Sequence, residues 1–176
     1  MRTKYKILLA ITPSVVILDQ LTKWLVVDSL TLGDRVPVIP GFFDIVYYLN
    51  EGAAFGLFAN LPDSFRLPFF YVVAVLAVFL LAYLYRTLMD GEKLMCVSVA
   101  LVFGGIVGNI LDRIRLESVV DFLSFHIGDL VLEGTIFGIR YRLPMEWPAF
   151  NVADSAITVA VLLIIISAVR GRRESD

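Results

Sequence analysis

Residues 104–122 read GGIVGNILDRIRLESVVDF, and this stretch decides the fold. It begins as an apolar segment of the kind that spans a bilayer. It ends in polar residues, which hydrocarbon tolerates only inside a helix bundle or beside a wet cavity. Asn109 and Asp112 are three positions apart and therefore share one face of a helix. Gly104, Gly105 and Gly108 lie about one turn before them and allow a neighbouring helix to approach closely. The stretch predicts a packed transmembrane helix that leads into a polar site.

Two aspartates stand at the predicted outer ends of different membrane spans. Asp121 follows two valines at the membrane boundary, and Asp154 stands at the start of the last apolar segment. Two facing carboxyl groups in a low-dielectric site cannot both ionise easily, so they share a proton and titrate as a pair. The ionised member can activate water while the protonated member polarises a carbonyl, as in aspartic proteases. We therefore predict that Asp121 and Asp154 carry chemistry.

The composition predicts an integral membrane protein. The chain has 176 residues, of which 59% are hydrophobic and 18% charged, and its mean hydropathy is +0.82. A net charge of -2 argues against nucleic-acid binding, because no basic surplus is present to neutralise phosphates. One cysteine and one histidine are too few for the usual zinc or iron sites. We predict no metal and no cofactor.

Hydropathy predicts four spans within a single integral-membrane domain, 1–176. The predicted spans cover residues 7–27, 67–85, 94–111 and 153–169, each near the ~20 residues that a bilayer requires. Lys and Arg are concentrated before the first span, between the second and third, and after the fourth. By the positive-inside rule both termini are cytoplasmic. Segments 30–66 and 116–150 are then extracytoplasmic, and the polar residues gather toward the outer side.

The sequence patterns of the two extracytoplasmic segments predict a small amount of β structure. Residues 30–48 contain short β-branched and aromatic pieces between Gly and Pro residues, which is typical of short strands or loops. Residues 139–143 alternate strictly, and Glu133-Gly134 could turn a hairpin. Residues 57–65 suit a short interfacial helix. The glycine-rich stretch 50–56 is either a plain turn or a place where a substrate approaches the backbone.

Two polar groups inside the predicted spans allow two interpretations each. Asp19 and Lys23 are four apart, so they can pair on one helix face, either as a structural ion pair or as a wall of the active site. Asn109, Asp112 and Arg113 either form a hydrogen-bond network between helices or take part in the chemistry.

Two other classes of protein explain part of this pattern. A transporter or channel would use Asp19 and Lys23 as an ion relay. It gives no reason for two aspartates at the outer boundary, and four spans without a repeat are few for a transporter. A non-catalytic assembly protein would use Gly104 and Gly108 for helix association and leave the polar residues unexplained. Replacing Asp121 by Asn separates the three classes.

Four blocks in order resemble the lipoprotein signal peptidase (signal peptidase II) family, over essentially the full length. The blocks are Asp19-Gln20-Leu21-Thr22-Lys23, Asn50-Glu51-Gly52-Ala53-Ala54-Phe55-Gly56, the stretch 104–122 with its GN, DR and VVDF elements, and Phe150-Asn151-Val152-Ala153-Asp154. The resemblance implies an intramembrane aspartyl endopeptidase that removes the signal peptide from diacylglyceryl-modified prolipoproteins. Cleavage would fall on the N-terminal side of the lipidated cysteine.

The resemblance also implies roles for individual residues. Asp121 and Asp154 match the catalytic positions. Eight further residues match positions that bind substrate or support the site: Asp19, Lys23, Asn50, Gly52, Asn109, Asp112, Arg113 and Asn151. The implied fold is a membrane all-α bundle of four transmembrane helices with a small extracytoplasmic β-rich cradle and a short interfacial helix. The implied location is the bacterial cytoplasmic (inner) membrane, with the active site toward the outer face of a monomer and membrane lipids around it.

The chain departs from the family pattern at two places. The family usually carries glycine where Glu117 or Ser118 stands, just before the VVDF element. The segment between Asp121 and Asn151 is longer than usual, by a predicted hairpin over 128–145. These departures bear on the turn into Asp121 and on the shape of the cradle.

Overall fold

The computed structural model describes residues 2–53, 57–58, 61–136 and 139–173. Within these ranges, four long helices and four strands follow one another along the chain. Their bounds are α1 (Thr3–Ser29), β1 (Arg35–Ile39), β2 (Phe43–Asn50), α2 (Asp63–Thr87), α3 (Lys93–Leu116), β3 (Val119–Ile136), β4 (Ile139–Phe150) and α4 (Val152–Arg173).

All four helices are long and apolar enough to cross a membrane, and each contains one of the predicted spans. Helix α3 packs against the other three. Its glycines explain the close packing, because a Cβ at Gly104 would lie 2.6 Å from Cβ of Val15 on α1. A Cβ at Gly105 would lie 2.5 Å from Cγ1 of Ile157 on α4. The prediction that these glycines admit neighbouring helices is confirmed.

Helix α3 extends to Leu116, beyond the predicted limit at 111. Asp112 and Arg113 in its last turns are buried with partners, so the helix continues past the apolar run. It ends at Glu117, which has a left-handed backbone (φ +58°) and donates its N–H to the carbonyl of Arg113. Asp121 therefore lies on strand β3 and not at a helix end, so that part of the prediction is wrong.

The strands form one antiparallel sheet in the order β1-β2-β3-β4. Val26 of α1 packs with Val120 and Phe122 of β3, which seats the sheet on one end of the helix bundle. The register places Tyr48 of β2 opposite Asp121. The prediction of short strands within 30–48 is confirmed, and the cradle shape stays a prediction.

The hairpin between β3 and β4 turns later than predicted. Glu133 pairs with Arg142 and Gly134 with Tyr141, so the proposed turn residues lie inside the ladder, which continues to the pair Ile136 and Ile139. The predicted turn at Glu133-Gly134 is therefore wrong, because strand pairing on both sides outweighs the turn propensity of a single glycine.

The predicted interfacial helix over 57–65 is not a separate element among the described residues. Leu57 and Phe58 form a turn, and Asp63 already belongs to α2, whose first N–H groups bond to the carbonyl of Pro62. Residues 54–56, 59 and 60 lie outside the described ranges, so the rest of this prediction and part of the glycine-rich block stay predictions.

Candidate active site

A cavity of about 1260 Å³ lies where the sheet meets the helix bundle. Asp121 of β3 and Asp154 of α4 both line it. The other described lining residues come from the turn before β2, from β2 and the loop after it, from α3, from β3, from the end of β4 and from α4. The two predicted catalytic carboxyls therefore share one cavity.

Asp121 is held by two side-chain amides. Asn50 donates to its Oδ2 at 3.0 Å, and Asn151 donates to its Oδ1 at 2.8 Å. The carboxyl is 3% exposed. Burial, and then the negative charge of Asp154, raises the pKa of Asp121 to about 7, although the two amide hydrogen bonds oppose the shift. This carboxyl can therefore hold a proton near neutral pH.

Asp154 is positioned by the first turn of α4. Asn151 is the N-cap residue, and its Oδ1 accepts the backbone N–H of Asp154 at 3.0 Å. In return, Oδ2 of Asp154 accepts the backbone N–H of Asn151 at 3.3 Å. This reciprocal pattern is a capping box with aspartate in the N3 position. Asn109 of α3 donates to the other oxygen, Oδ1, at 2.8 Å. Both oxygens of Asp154 are thus fixed by hydrogen-bond donors.

Lys23 forms the centre of a buried ionic network behind the cavity. Its Nζ lies 2.8 Å from Oδ2 of Asp19 and 2.8 Å from Oδ2 of Asp112. It also donates to Oδ1 of Asn109 at 3.0 Å. Because that bond occupies the Asn109 oxygen, the amide nitrogen of Asn109 is turned toward Asp154. The network links α1 to α3 and orients a residue that touches the site.

The two carboxylates beside Lys23 also accept hydrogen bonds from backbone N–H groups of the two elements that carry Asp154 and Asp121. Oδ1 of Asp19 accepts the N–H of Ala153 in the first turn of α4 at 2.9 Å. Oδ2 of Asp112 accepts the N–H of Val120, next to Asp121, at 3.1 Å. A carboxylate at a helix N-terminus satisfies a free N–H and favours the helix dipole. Asp19 and Asp112 therefore locate α4 and β3 relative to the bundle.

Arg113 connects α3 to the loop after β2. Its Nη2 donates to the carbonyl of Gly52 at 2.7 Å, and its guanidinium lies 4.4 Å from the ring centroid of Phe70. The N–H of Gly52 donates to Oδ1 of Asn50 at 3.0 Å. Asn50 is then free to donate its amide N–H to Asp121. Arg113 thus supports Asp121 through the loop.

A family model described as signal peptidase (SPase) II matches residues 11–170. The chain belongs to the signal peptidase II family.

Similar proteins cover nearly the whole length of this family member. The lipoprotein signal peptidase of Syntrophotalea carbinolica is 44% identical over 164 residues, covering 93% of this chain and 91% of that protein. The lipoprotein signal peptidase of Geobacter metallireducens is 40% identical over 176 residues, covering 100% of this chain and 98% of that protein. A solved structure described as a bacterial membrane enzyme, determined in meso at 2.3 Å, has a TM-score of 0.76 and 31% identity, covering 96% of this chain and 91% of that chain.

As a member of the signal peptidase II family, the chain is a multi-pass membrane peptidase. Its predicted site residues fall into two groups. One group lines the cavity: Asn50, Gly52, Asn109, Arg113, Asp121 and Asp154. The other group is buried behind the first: Asp19, Lys23, Asp112 and Asn151. Lys23 and Asn151 bond to residues of the first group, and Asp19 and Asp112 form ion pairs with Lys23. The expected pairing of Asp19 with Lys23 is confirmed, whereas the catalytic and supporting roles stay predictions.

Sequence analysis missed one residue of this signal peptidase II network. Gln20 donates to Oδ1 of Asp112 at 2.9 Å and to the carbonyl of Gly108 at 3.1 Å, and it accepts from Arg115 at 3.1 Å. Its position inside an apolar run next to Asp19 was the available signal, since a half-buried amide in such a run needs hydrogen-bond partners. Within the described part of the chain, no group of three or more His, Cys, Asp and Glu residues could hold a metal ion. The expectation of no metal and no cofactor stays a prediction.

Proposed function

We propose that this chain removes the signal peptide from diacylglyceryl-modified prolipoproteins, cutting on the N-terminal side of the lipidated cysteine. The named relatives are lipoprotein signal peptidases, and they cover almost the whole chain. One observation of the site supports an aspartic mechanism above all. Asp121 and Asp154 line one cavity and are joined through Asn151, which bonds to both.

In this mechanism the two carboxyls divide the work. The carboxyl of Asp121 holds the shared proton and polarises the carbonyl of the scissile bond, which agrees with its raised pKa. The carboxylate of Asp154 accepts a proton from water, and the water oxygen attacks the carbonyl carbon. The tetrahedral intermediate then breaks its C–N bond. The amine of the lipidated cysteine leaves with a proton from the dyad.

The amide donors have a positioning role in this scheme. Asn50 and Asn151 hold Asp121, and Asn109 holds Asp154, so neither carboxyl has to reorient when the substrate arrives. Asp19, Lys23, Asp112 and Arg113 fix the elements that carry these donors. Gly52 presents its carbonyl to Arg113 and its N–H to Asn50.

The location follows from the same proposal. The chain is one integral-membrane domain of the bacterial cytoplasmic membrane, with both termini in the cytoplasm and the cavity toward the outer face. It works as a monomer in contact with membrane lipids. The basic residues that flank the spans support this orientation.

Mass spectrometry of the products tests the proposal. Purified protein in detergent receives a prolipoprotein that carries the diacylglyceryl group, and a matched sample receives the unmodified precursor. We expect a single cut before the modified cysteine and little cleavage of the unmodified precursor. Cleavage at another bond, or equal cleavage of both precursors, would contradict the assignment.

A further inference from the structure

The cavity continues past the dyad along the membrane-spanning part of α4. The α4 residues that line it beyond Asp154 are Ser155, Ile157, Thr158 and Val159. They belong to the candidate span 152–169. A helix rises about 1.5 Å per residue, so Thr158 lies about 6 Å deeper in this span than Asp154 does. We call the part of the cavity that residues 155 and 157–159 line the membrane arm.

Two hydroxyl groups line the membrane arm. Oγ of Ser155 donates to the carbonyl of Asn151 at 2.9 Å, and Oγ1 of Thr158 donates to the carbonyl of Asp154 at 2.9 Å. These bonds use both hydroxyl protons and leave lone pairs on both oxygens. Within the described part of the chain, no donor bonds to either oxygen. The two side chains can therefore accept hydrogen bonds from a molecule in the cavity.

A transmembrane substrate has to leave the helical conformation before a peptidase can cut it. Inside a helix, each carbonyl oxygen is bonded to a backbone N–H and the neighbouring turns shield the carbonyl carbon. Unwinding the chain within the membrane frees backbone N–H groups, and hydrocarbon contains no water to bond to them. The site therefore has to supply acceptors for these N–H groups.

We infer that the hydroxyl oxygens of Ser155 and Thr158 accept backbone N–H groups of the substrate on the N-terminal side of the scissile bond. This inference rests on the proposed function, in which the signal peptide reaches the dyad from the membrane. The membrane arm then holds the residues before the cut. An extended chain advances about 3.3 Å per residue, so the distance from Asp154 to Thr158 along α4 corresponds to about two residues. Thr158 thus meets an N–H about two residues before the cut.

A hydroxyl that bonds to its own helix is not in itself a binding site. Ser14 of α1 donates to the carbonyl of Ala10 at 2.7 Å in the same way. Ser14 is exposed, and none of the described lining residues belongs to α1. Ser155 and Thr158 differ from it because they line the cavity that contains the dyad. Ser14 therefore provides the matched control.

Hydroxyl variants of the protein give the first test. Thr158→Val and Ser155→Ala each remove one hydroxyl, and Thr158→Ser keeps it. With a synthetic diacylglyceryl lipopeptide as substrate, we expect the first two variants to lose about two- to tenfold in kcat/KM, as one lost hydrogen bond predicts. Thr158→Ser and the control Ser14→Ala should cleave at the wild-type rate. Thermal unfolding of each variant in detergent verifies that it folds.

Ester substrates show whether each hydroxyl binds the substrate itself. An ester in place of one of the four backbone amides before the cut removes one N–H at a time. The ester that removes the partner of Thr158 should slow the wild type about two- to tenfold and leave Thr158→Val unaffected, because that bond is already absent. A purely structural role of Thr158 would instead make the two losses multiply. Ser155→Ala is tested with the same substrates.

The outcomes separate the inference from the proposed function. Losses that do not multiply at one ester position support hydrogen bonding to the substrate. The inference is overturned if the variants cleave the all-amide lipopeptide at the wild-type rate, or if the losses multiply at every position, and the proposed function then still stands. If the wild type does not cleave the all-amide lipopeptide, both are overturned.

Discussion

Asn151 and Asp154 cap the same helix end from opposite directions. The Oδ1 atom of Asn151 accepts the N–H of Asp154 at 3.0 Å, while Oδ2 of Asp154 accepts the N–H of Asn151 at 3.3 Å. The same Asn151 side chain donates its amide N–H to Asp121 at 2.8 Å. One residue therefore starts α4 and holds the second carboxyl of the proposed dyad.

Substitutions of Asn151 can separate its role as the cap of α4 from its hydrogen bond to Asp121. Serine is a good N-cap residue, but it lacks the amide that reaches Asp121. We expect the melting temperature of Asn151→Ser to lie close to that of the wild type. We expect its kcat to fall at least about tenfold, because one hydrogen bond to a carboxyl contributes ~1.5–3 kcal/mol. Asn151→Ala should lose both properties, with about 1 kcal/mol from the cap alone. A serine variant with the activity of the wild type would show that the bond to Asp121 is dispensable.

Lys23 neutralises two buried carboxylates, so replacing it should strongly destabilise the fold. Lys23→Met leaves Asp19 and Asp112 without their shared cation at a site where Lys23 is only 3% exposed. Breaking a buried ion pair from one side costs about 3–5 kcal/mol. Thermal unfolding in detergent measures the loss. Lys6→Met is the matched control, because Lys6 is exposed, and equal melting temperatures for the two variants would contradict the network.

Glu117 occupies a backbone conformation that suits glycine better. Its φ of +58° lies in the left-handed region, which costs a residue with a Cβ about 1–2 kcal/mol. We therefore expect Glu117→Gly to raise the melting temperature by a few degrees, after allowing for the greater freedom of glycine in the unfolded chain. Ser118→Gly is the control, since Ser118 has no positive φ and donates to the carbonyl of Leu116. If the melting temperature of Glu117→Gly does not exceed that of this control, the claim that the backbone at Glu117 is strained is contradicted.

Much of the fold could be predicted from the sequence because membrane spans have a strong signal. Apolar runs of bilayer length and the small residues Gly104 and Gly105 identify four helices and their packing without further information. Hydropathy places Asp121 and Asp154 only roughly. The end of α3 depends on partners of Asp112 and Arg113 that lie on other elements, and hydropathy contains nothing about those partners. For that reason hydropathy places Asp121 at a helix end, whereas it lies on β3.

The features that the sequence did not predict correctly depend on contacts between residues far apart in the chain. Whether Glu133-Gly134 turns or continues a strand is decided by Arg142 and Tyr141 on β4, not by local propensity. The sequence identifies Asn151 only as a position of the family motif and does not predict its hydrogen bond to Asp121. Its link to Asp121 joins residues 30 positions apart and requires the sheet to be in place.

The pH dependence of stability should reveal the state of Asp121. Burial and the charge of Asp154 raise the pKa of Asp121 in the folded protein to about 7, above its ordinary value of 3.8, so the folded protein binds the proton more tightly than the unfolded chain does. The resulting stability is fully present below about pH 4 and is lost as the pH rises through about 7. We expect the melting temperature of the wild type to fall between pH 5 and 8. Asp121→Asn should show a smaller fall, and identical slopes for the two proteins would contradict the raised pKa.

The central claim is that Asp121 and Asp154 together perform the hydrolysis. The most direct test follows cleavage of a diacylglyceryl-modified prolipoprotein by gel shift for the wild type, Asp121→Asn and Asp154→Asn, with substrate binding and thermal unfolding measured on the same preparations. We predict that both variants fold and bind the substrate but lose at least about 10²–10⁴-fold in rate, the usual contribution of a general acid or base. A folded variant of either aspartate that cleaves at the wild-type rate would contradict the dyad.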